Sequence, residues 1–186
     1  LRVMIALSAA ALSMSEQQRF LKQASKWLDL ELVRQILPDG GHVSRNPAAI
    51  LELLMDLLPL RQAFTARGSQ PSRILLSAID RMMPMMRFFR HGDGNFAHFN
   101  GMGPTLPDVM ATILAYDDAR GAPLTNAPHS GYQRIETAGT LVVMDTGRVA
   151  LKRGPLVYCV EEADNPGGRV QRFRLSRDAN IEAVER

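Results

Sequence analysis

The sequence has few of the residues on which several common classes of function depend. Cys159 is the single cysteine among 186 residues, which excludes an internal disulfide and a cysteine-rich zinc cluster. The four histidines are scattered and lack the spacing of zinc ligands. Lysine occurs only three times, and no block of basic residues resembles a nucleic-acid-binding patch. We therefore predict no metal site, no cofactor and no nucleic-acid partner.

Long apolar runs are also absent. Residues 3–12 follow Arg2 as an apolar run, but a membrane-spanning helix needs about 20 such residues. This run is not a clear signal peptide either. Of the 22 basic residues nineteen are arginine, and the arginine side chain is suited to bidentate binding of carboxylate or sulfate. A genome rich in G and C would produce the same bias, so both explanations stay open.

Apolar spacing predicts five helical segments in the first two-thirds of the chain. Residues 1–14 are alanine-rich. Ser15 begins the second segment as a capping box, Pro47 begins the third, residues 68–71 form a turn before the fourth, and Thr105 caps a short fifth. Prolines 59 and 84 should kink their helices. The apolar positions of segments two to four are Leu21, Ala24, Leu28, Leu32 and Ile36, then Ile50, Leu53, Leu54, Leu57 and Leu58, then Leu75, Ala78, Ile79, Met82, Met86 and Phe89.

The last third of the chain has a different period. A polar linker occupies residues 120–130, and short extended runs then alternate with glycine turns. Strands are expected at 133–136, 141–144, 149–151, 156–160 and 170–175. The predicted fold class is mainly α with a C-terminal β part.

Residues 38–47 form the most distinctive loop. Asp39, Gly40 and Gly41 are turn residues, whereas Asn46 and Pro47 begin a helix. His42 and Arg45 would then stand at a helix N-terminus, where an anion is favoured. One interpretation is a site that holds and deprotonates an acidic substrate. The other is an ordinary interhelical loop in which His42 caps or packs.

The loop motif Asp39-Gly40-Gly41-His42-x-x-Arg45-x-Pro47 resembles the heparinase II/III family of bacterial polysaccharide lyases. Matching motifs follow at 57–61, 88–94, 99–101, 130–134 and 142–147. The resemblance implies a partial (α/α) toroid over 1–128 and a partial β-sandwich over 129–186. It also implies a periplasmic or cell-envelope location and an acidic polysaccharide, a uronate or sulfated glycan, as partner.

The end of the chain resembles a second family. Residues 147–159 and 164–166 are similar to the β-domain of glycoside hydrolase family 127, the β-L-arabinofuranosidase group. The second domain would then be lyase-like over 129–147 and hydrolase-like over 148–186. The nucleophilic cysteine of that family lies in a motif that this sequence lacks. Cys159 is accordingly predicted to be a buried strand thiol.

The lyase resemblance implies β-elimination, which needs a carboxylate binder, a base and an acid. His42 would be the neutraliser or base and Arg45 the carboxylate binder, with Asn46 either capping its helix or touching substrate. The family's catalytic tyrosine is missing, because no tyrosine precedes Tyr116, so His98 or Asn100 would substitute. The predicted catalytic set is His42, Arg45 and His98, and the predicted substrate-binding set is Arg45, Asn46 and Asn100.

The catalytic set is expected to be incomplete, because no histidine follows His129. The leading prediction is a fragment of a polysaccharide lyase that acts on uronic-acid-containing glycans. The alternatives are a non-catalytic carbohydrate-binding or scaffold fragment and a glycoside hydrolase fragment. The sequence leaves the oligomeric state open.

Overall fold

A computed structural model describes residues 1–14, 18–92, 94–103, 107–116, 122–137 and 140–146, together with the backbone of three later strands. The chain is mostly helical, with an antiparallel sheet at its C-terminal end. The predicted fold class is confirmed at this level. The toroid, the sandwich and the domain division at residue 128 stay predictions.

Five helices are present in the described residues: α1 (Arg2–Ser13), α2 (Gln18–Gln35), α3 (Pro47–Ala66), α4 (Arg73–Phe89) and α5 (Pro107–Ala115). The cap predicted at Asn46 is confirmed, because its side-chain oxygen accepts a hydrogen bond from the Ala48 amide at 2.9 Å. Ser72 caps α4 in the same way, at 3.0 Å from the Leu75 amide. Helices α3 and α4 continue past Pro59 and Pro84. The predicted caps at Ser15 and Thr105 lie outside the described residues.

The strands form one antiparallel meander in the order β1-β2-β3-β4-β5-β6. Their bounds are Asn126–Ala127, Tyr132–Thr137, Thr140–Asp145, Leu156–Glu162, Gln171–Leu175 and Ile181–Val184. Four of the five predicted strands are confirmed, whereas the one predicted at 149–151 lies outside the described residues. Strand β1, which has only two residues, and strand β6 were not predicted. Cys159 lies on β4 opposite Val143 of β3, but its side chain is outside the description, so its burial stays a prediction.

The helices and the first strands share one hydrophobic core. The apolar positions predicted for α2, α3 and α4 are buried, apart from the partly buried Leu21. Aromatic rings continue this core toward the sheet: Phe89 meets Tyr132 edge-on with ring centres 4.8 Å apart, and Phe99 lies 5.2 Å from Tyr132. The C-terminal end of helix α4 therefore contacts the start of β2.

A buried arginine adds polar contacts to this packing. Arg134 of β2 donates hydrogen bonds to the main-chain oxygens of Phe88 and Arg90, at 2.9 and 3.0 Å. These carbonyls belong to the end of α4, where helical oxygens lack partners within the helix. The strand thus satisfies the helix end that it covers. Within the described residues, no helix is long and apolar enough to cross a membrane.

Candidate functional site: the 38–47 loop

The 38–47 loop forms a tight turn that lies against the start of the sheet. Gly40 has φ +85°, and a Cβ atom there would lie 1.9 Å from the Arg81 carbonyl oxygen, so only glycine fits. Asp39 uses both carboxylate oxygens: one accepts from the Gly41 amide at 3.0 Å, and the other from the Ser130 amide at 2.6 Å. The turn predicted at Asp39-Gly40-Gly41 is confirmed, and it is tied to a residue far along the chain.

Arg45 makes the second connection between the loop and the sheet. Its Nε donates to the Ser130 carbonyl oxygen at 2.7 Å, and a terminal nitrogen contacts the Gly131 carbonyl oxygen at 3.4 Å. The same terminal nitrogen forms an ion pair with Asp145 at the end of β3. Only 9% of the Arg45 side chain and 13% of the Asp145 side chain are exposed. The guanidinium is thus directed into the protein.

Asn100 and Tyr132 support the backbone of Arg45. Arg45 has φ +59°, and Asn100 has φ +49°, both in the left-handed region that residues with a side chain rarely adopt. The Arg45 carbonyl oxygen accepts from the Tyr132 hydroxyl at 2.6 Å and from the Asn100 amide at 2.9 Å. The Arg45 guanidinium also lies 5.1 Å from the centre of the Tyr132 ring. These contacts hold the unusual backbone in place.

We define Asp39, Arg45, Asn100, Ser130, Tyr132 and Asp145 as the loop–sheet network. It joins the α2–α3 loop, the loop after α4, the turn between β1 and β2, and strands β2 and β3. Removing an ion pair from water is costly, and further hydrogen bonds to the two charged groups offset that cost. Here Arg45 also contacts two main-chain carbonyls, and Asp145 also contacts the side-chain amide of Asn100. This arrangement is suited to fixing the sheet on the helices.

The partners of the His42 ring, Ser44 and Gln35, do not belong to the loop–sheet network. Its Nδ1 accepts from the Ser44 amide at 3.1 Å, so Nε2 carries the hydrogen and donates to the Gln35 side-chain oxygen at 3.2 Å. Burial lowers the pKa of the His42 imidazole below its usual value. The ring lines a cleft of about 350 Å³ together with Gln35, Glu52 and Leu53. A neutral imidazole in a cleft has the protonation state that a general base requires.

The remaining predicted residues have different surroundings. Asn46 caps α3, which is the structural alternative that the sequence offered for it. Asn100 contacts Arg45 and Tyr132, so the structure brings Arg45 and Asn100 together. His98 lies half-buried in the loop after α4, between the buried Ala97 and Phe99. The catalytic and substrate-binding roles predicted for His42, Arg45, His98, Asn46 and Asn100 stay predictions.

The partners of Arg45 were not predicted from the sequence. Asp145 and Tyr132 lie in motifs that carried the family resemblance, but 100 and 87 positions separate them from Arg45. The sequence shows only that Tyr132 and Asp145 lie close to the ends of short predicted strands. A single sequence has no pattern that predicts a contact between these residues and an arginine so far along the chain. In the part of the chain that is described, no cluster of potential metal ligands occurs.

Comparisons with known proteins give one family match and two similar proteins. Residues 133–184 match the family described as glycoside hydrolase family 127 C-terminal domain. The chain is also 39% identical, over 141 residues, to FtsZ-localized protein C of Caulobacter vibrioides (strain NA1000 / CB15N). It is 60% identical, over 30 residues, to non-reducing end beta-L-arabinofuranosidase of Bifidobacterium longum subsp. longum. The comparisons support the glycoside hydrolase family 127 resemblance and give no support to the heparinase II/III resemblance.

The extent of these matches limits what they establish. The match to the Caulobacter protein covers 76% of this chain but 24% of that protein. The match to the Bifidobacterium enzyme covers 16% of this chain but 5% of that enzyme. The chain thus spans about a quarter or less of the curated relatives that it matches. No solved structure matches the chain.

Proposed function

We propose that this chain is the scaffold and glycan-binding part of a glycoside-hydrolase-type protein, without a complete catalytic set of its own. The observation that carries the proposal is the match of residues 133–184 to a glycoside hydrolase C-terminal domain. The short similarity to a β-L-arabinofuranosidase supports the same carbohydrate class. An arabinofuranosyl glycan is accordingly the expected ligand.

The geometry of the 38–47 loop supports a scaffold more than a catalyst. A lyase would need Arg45 to receive a substrate carboxylate, yet that guanidinium already contacts Asp145 and the Ser130 carbonyl. A substrate could displace neither contact without taking the arginine donor away from a carboxylate or a carbonyl that stays buried, which costs free energy. Loop, network and sheet form a support on which a carbohydrate-binding surface can be held.

Binding and turnover are separated by three measurements on the full chain. We expect calorimetry to show binding of arabinofuranosyl oligosaccharides, and we expect no release of nitrophenol from a nitrophenyl β-L-arabinofuranoside. A uronate polymer should give no new ultraviolet absorbance, because that absorbance reports the unsaturated product of β-elimination. Absence of glycan binding would refute the proposal, and absorbance growing with time would restore the lyase prediction.

We also propose that the protein is located in the periplasm or cell envelope.

A second candidate function comes from the longer similarity. The 39% identity to a protein named for its localisation with FtsZ covers 76% of this chain, which favours a role at the division apparatus. Co-sedimentation with FtsZ polymers tests it: the chain should pellet when the polymers form and stay in solution when they do not. Equal recovery in both pellets would exclude this candidate.

A further inference from the structure

The outer face of α2 combines basic and apolar side chains in an unusual way. We define this α2 outer face by Arg19, Lys22, Lys26, Trp27, Leu30 and Val33, all of them exposed. Val33 is 64% exposed, Leu30 49% and Trp27 41%. Two of the protein's three lysines lie here. At 1.5 Å of rise per residue the face is about 21 Å long.

Acidic residues near this face are turned to other partners. Asp29 lies at its edge and accepts a hydrogen bond from Ser72 at the start of α4. Glu31 contacts Arg34 and Gln35 within α2, at 2.9 and 2.7 Å. The α2 outer face itself holds three basic residues and no acidic one. Its charge is therefore complementary to an acidic partner.

The apolar residues of the α2 outer face are not the residues that pack α2 into the core. Ala24, Leu28 and Leu32 already supply the stripe that packs into the core. Trp27, Leu30 and Val33 lie outside this stripe and keep 41%, 49% and 64% of their surface exposed, so much of their apolar surface is not used in the core. Apolar side chains grouped on a surface mark a site of interaction, and tryptophan and arginine are enriched at the residues that dominate binding.

The arrangement of apolar and basic side chains around α2 favours a protein partner over a membrane surface. A helix that lies in a membrane interface separates its apolar side from its charged side, whereas on this face Lys26 lies between Val33 and Leu30 around the helix. Mixed apolar and charged residues are the composition of a protein interface with a polar rim. In a two-fold symmetric contact, a second copy of this chain would present the same positive face and would be repelled.

We propose that the α2 outer face is a docking surface for an acidic segment of a partner protein that also carries apolar side chains. The carboxylates of the segment contact Arg19, Lys22 and Lys26, while its apolar residues cover Trp27, Leu30 and Val33. This inference is independent of the glycan-binding proposal, because the surface is on α2 and not at the loop or the sheet.

Selection from a random 16-residue peptide display library with the full-length chain tests the surface. We expect the selected peptides to be rich in both acidic and large apolar residues. A synthetic peptide from that pool should lose at least tenfold in affinity toward the variant Lys22→Glu/Lys26→Glu. It should lose a similar factor toward Leu30→Ser/Val33→Ser, because charge alone does not account for the surface.

Arg61→Glu is a control for charge reversal outside the α2 outer face, with half the charge change of Lys22→Glu/Lys26→Glu. Arg61 lies on α3, which packs on α1, α4 and α5, so its reversal should leave peptide affinity unchanged. All three variants replace side chains that are not fully buried, and unchanged melting curves would verify that they fold. Rising salt should weaken the binding without abolishing it, since apolar contacts persist when charges are screened.

Several outcomes would overturn the proposal. One is a failure to enrich peptides with both kinds of residue. Another is equal affinity for polyglutamate, which would mean that the face is an ordinary solvated basic surface. A third is binding to phosphatidylglycerol vesicles that the same two double variants abolish, which would assign the face to a membrane.

Discussion

At the scale of single residues, the Arg45–Asp145 pair is the interaction whose loss should matter most. Both side chains are nearly buried, and removing one partner from such a pair costs about 3–5 kcal/mol, because the other charge stays buried without compensation. We expect Arg45→Met to lower the free energy of unfolding by about that amount. Urea denaturation followed by circular dichroism measures it.

The exposed pair between Arg2 and Glu52 is a matched control for this prediction. More than half of each of these side chains is exposed, and such surface pairs contribute about 0–1 kcal/mol. Glu52→Ala should therefore change stability little. If Arg45→Met were as mild as Glu52→Ala, the loop–sheet network would have no structural role, and the carboxylate-binding role of Arg45 would regain weight.

The second residue-scale prediction concerns His42 and pH. Because burial lowers its pKa in the folded protein below the ordinary value of 6.5, the unfolded chain binds a proton more readily than the folded one. The stability that His42 contributes is present above pH 6.5 and is lost as the pH falls through the lower, folded-state pKa. We expect Tm to fall on acidification below pH 6.5, and to fall less in His42→Asn.

Asparagine is chosen because its side-chain oxygen can accept a hydrogen bond from the Ser44 amide, as Nδ1 of His42 does, yet it does not titrate. The comparison therefore separates the effect of protonation from the effect of losing this hydrogen bond. Thermal melts at half-unit steps from pH 7.5 to pH 5 would show the difference. Parallel pH profiles in the wild type and the variant would mean that His42 does not control the acid response.

At the scale of structural elements, the turn before α3 depends on one glycine. Gly40→Ala places a methyl group against the Arg81 carbonyl of α4 in a left-handed backbone. The left-handed conformation costs an alanine about 1–2 kcal/mol, and overpacking adds about 1–3 kcal/mol. Gly68 also has positive φ, +65°, but nothing lies within 4 Å of its added Cβ.

Gly68→Ala should thus show only the smaller, conformational loss of about 1–2 kcal/mol. The difference between the two alanine variants, measured by urea denaturation, is the cost of the contact with α4. Equal losses at both positions would mean that the loop can move away from α4, and that the 38–47 loop is less fixed than its contacts indicate.

The elements also show what one sequence can and cannot predict. Helices α2 to α4 were predictable because apolar residues such as Leu28, Leu54 and Ile79 recur at helical spacing. Strand β1 was not, since a two-residue strand has no period to detect. The loop was predictable as a turn and a cap, but its contacts were not: Ser130 and Asp145 reach it only through the tertiary fold.

At the scale of the whole molecule, helices and sheet share a core across the boundary that the sequence placed at residue 128. Tyr132 packs on Phe89 and Phe99 and donates to the Arg45 carbonyl, while Arg134 binds the end of α4. Two units joined in this way should unfold together, because neither can lose the interface without exposing apolar rings to water.

The last prediction tests that cooperation through Tyr132, which is 1% exposed. Tyr132→Ala removes a large buried ring, which costs about 3–5 kcal/mol for comparable aromatic residues, and we expect hydrogen exchange to accelerate equally in α4 and in β2–β3. Tyr132→Phe keeps the ring and removes a hydroxyl that donates to the Arg45 carbonyl and accepts from the Asn100 side chain, so its loss should be about 1–3 kcal/mol, the typical value for two hydrogen bonds. Faster exchange in the strands with unchanged protection in α4 would show two independent domains, and the loop–sheet network would then be a contact between them and not part of a common core.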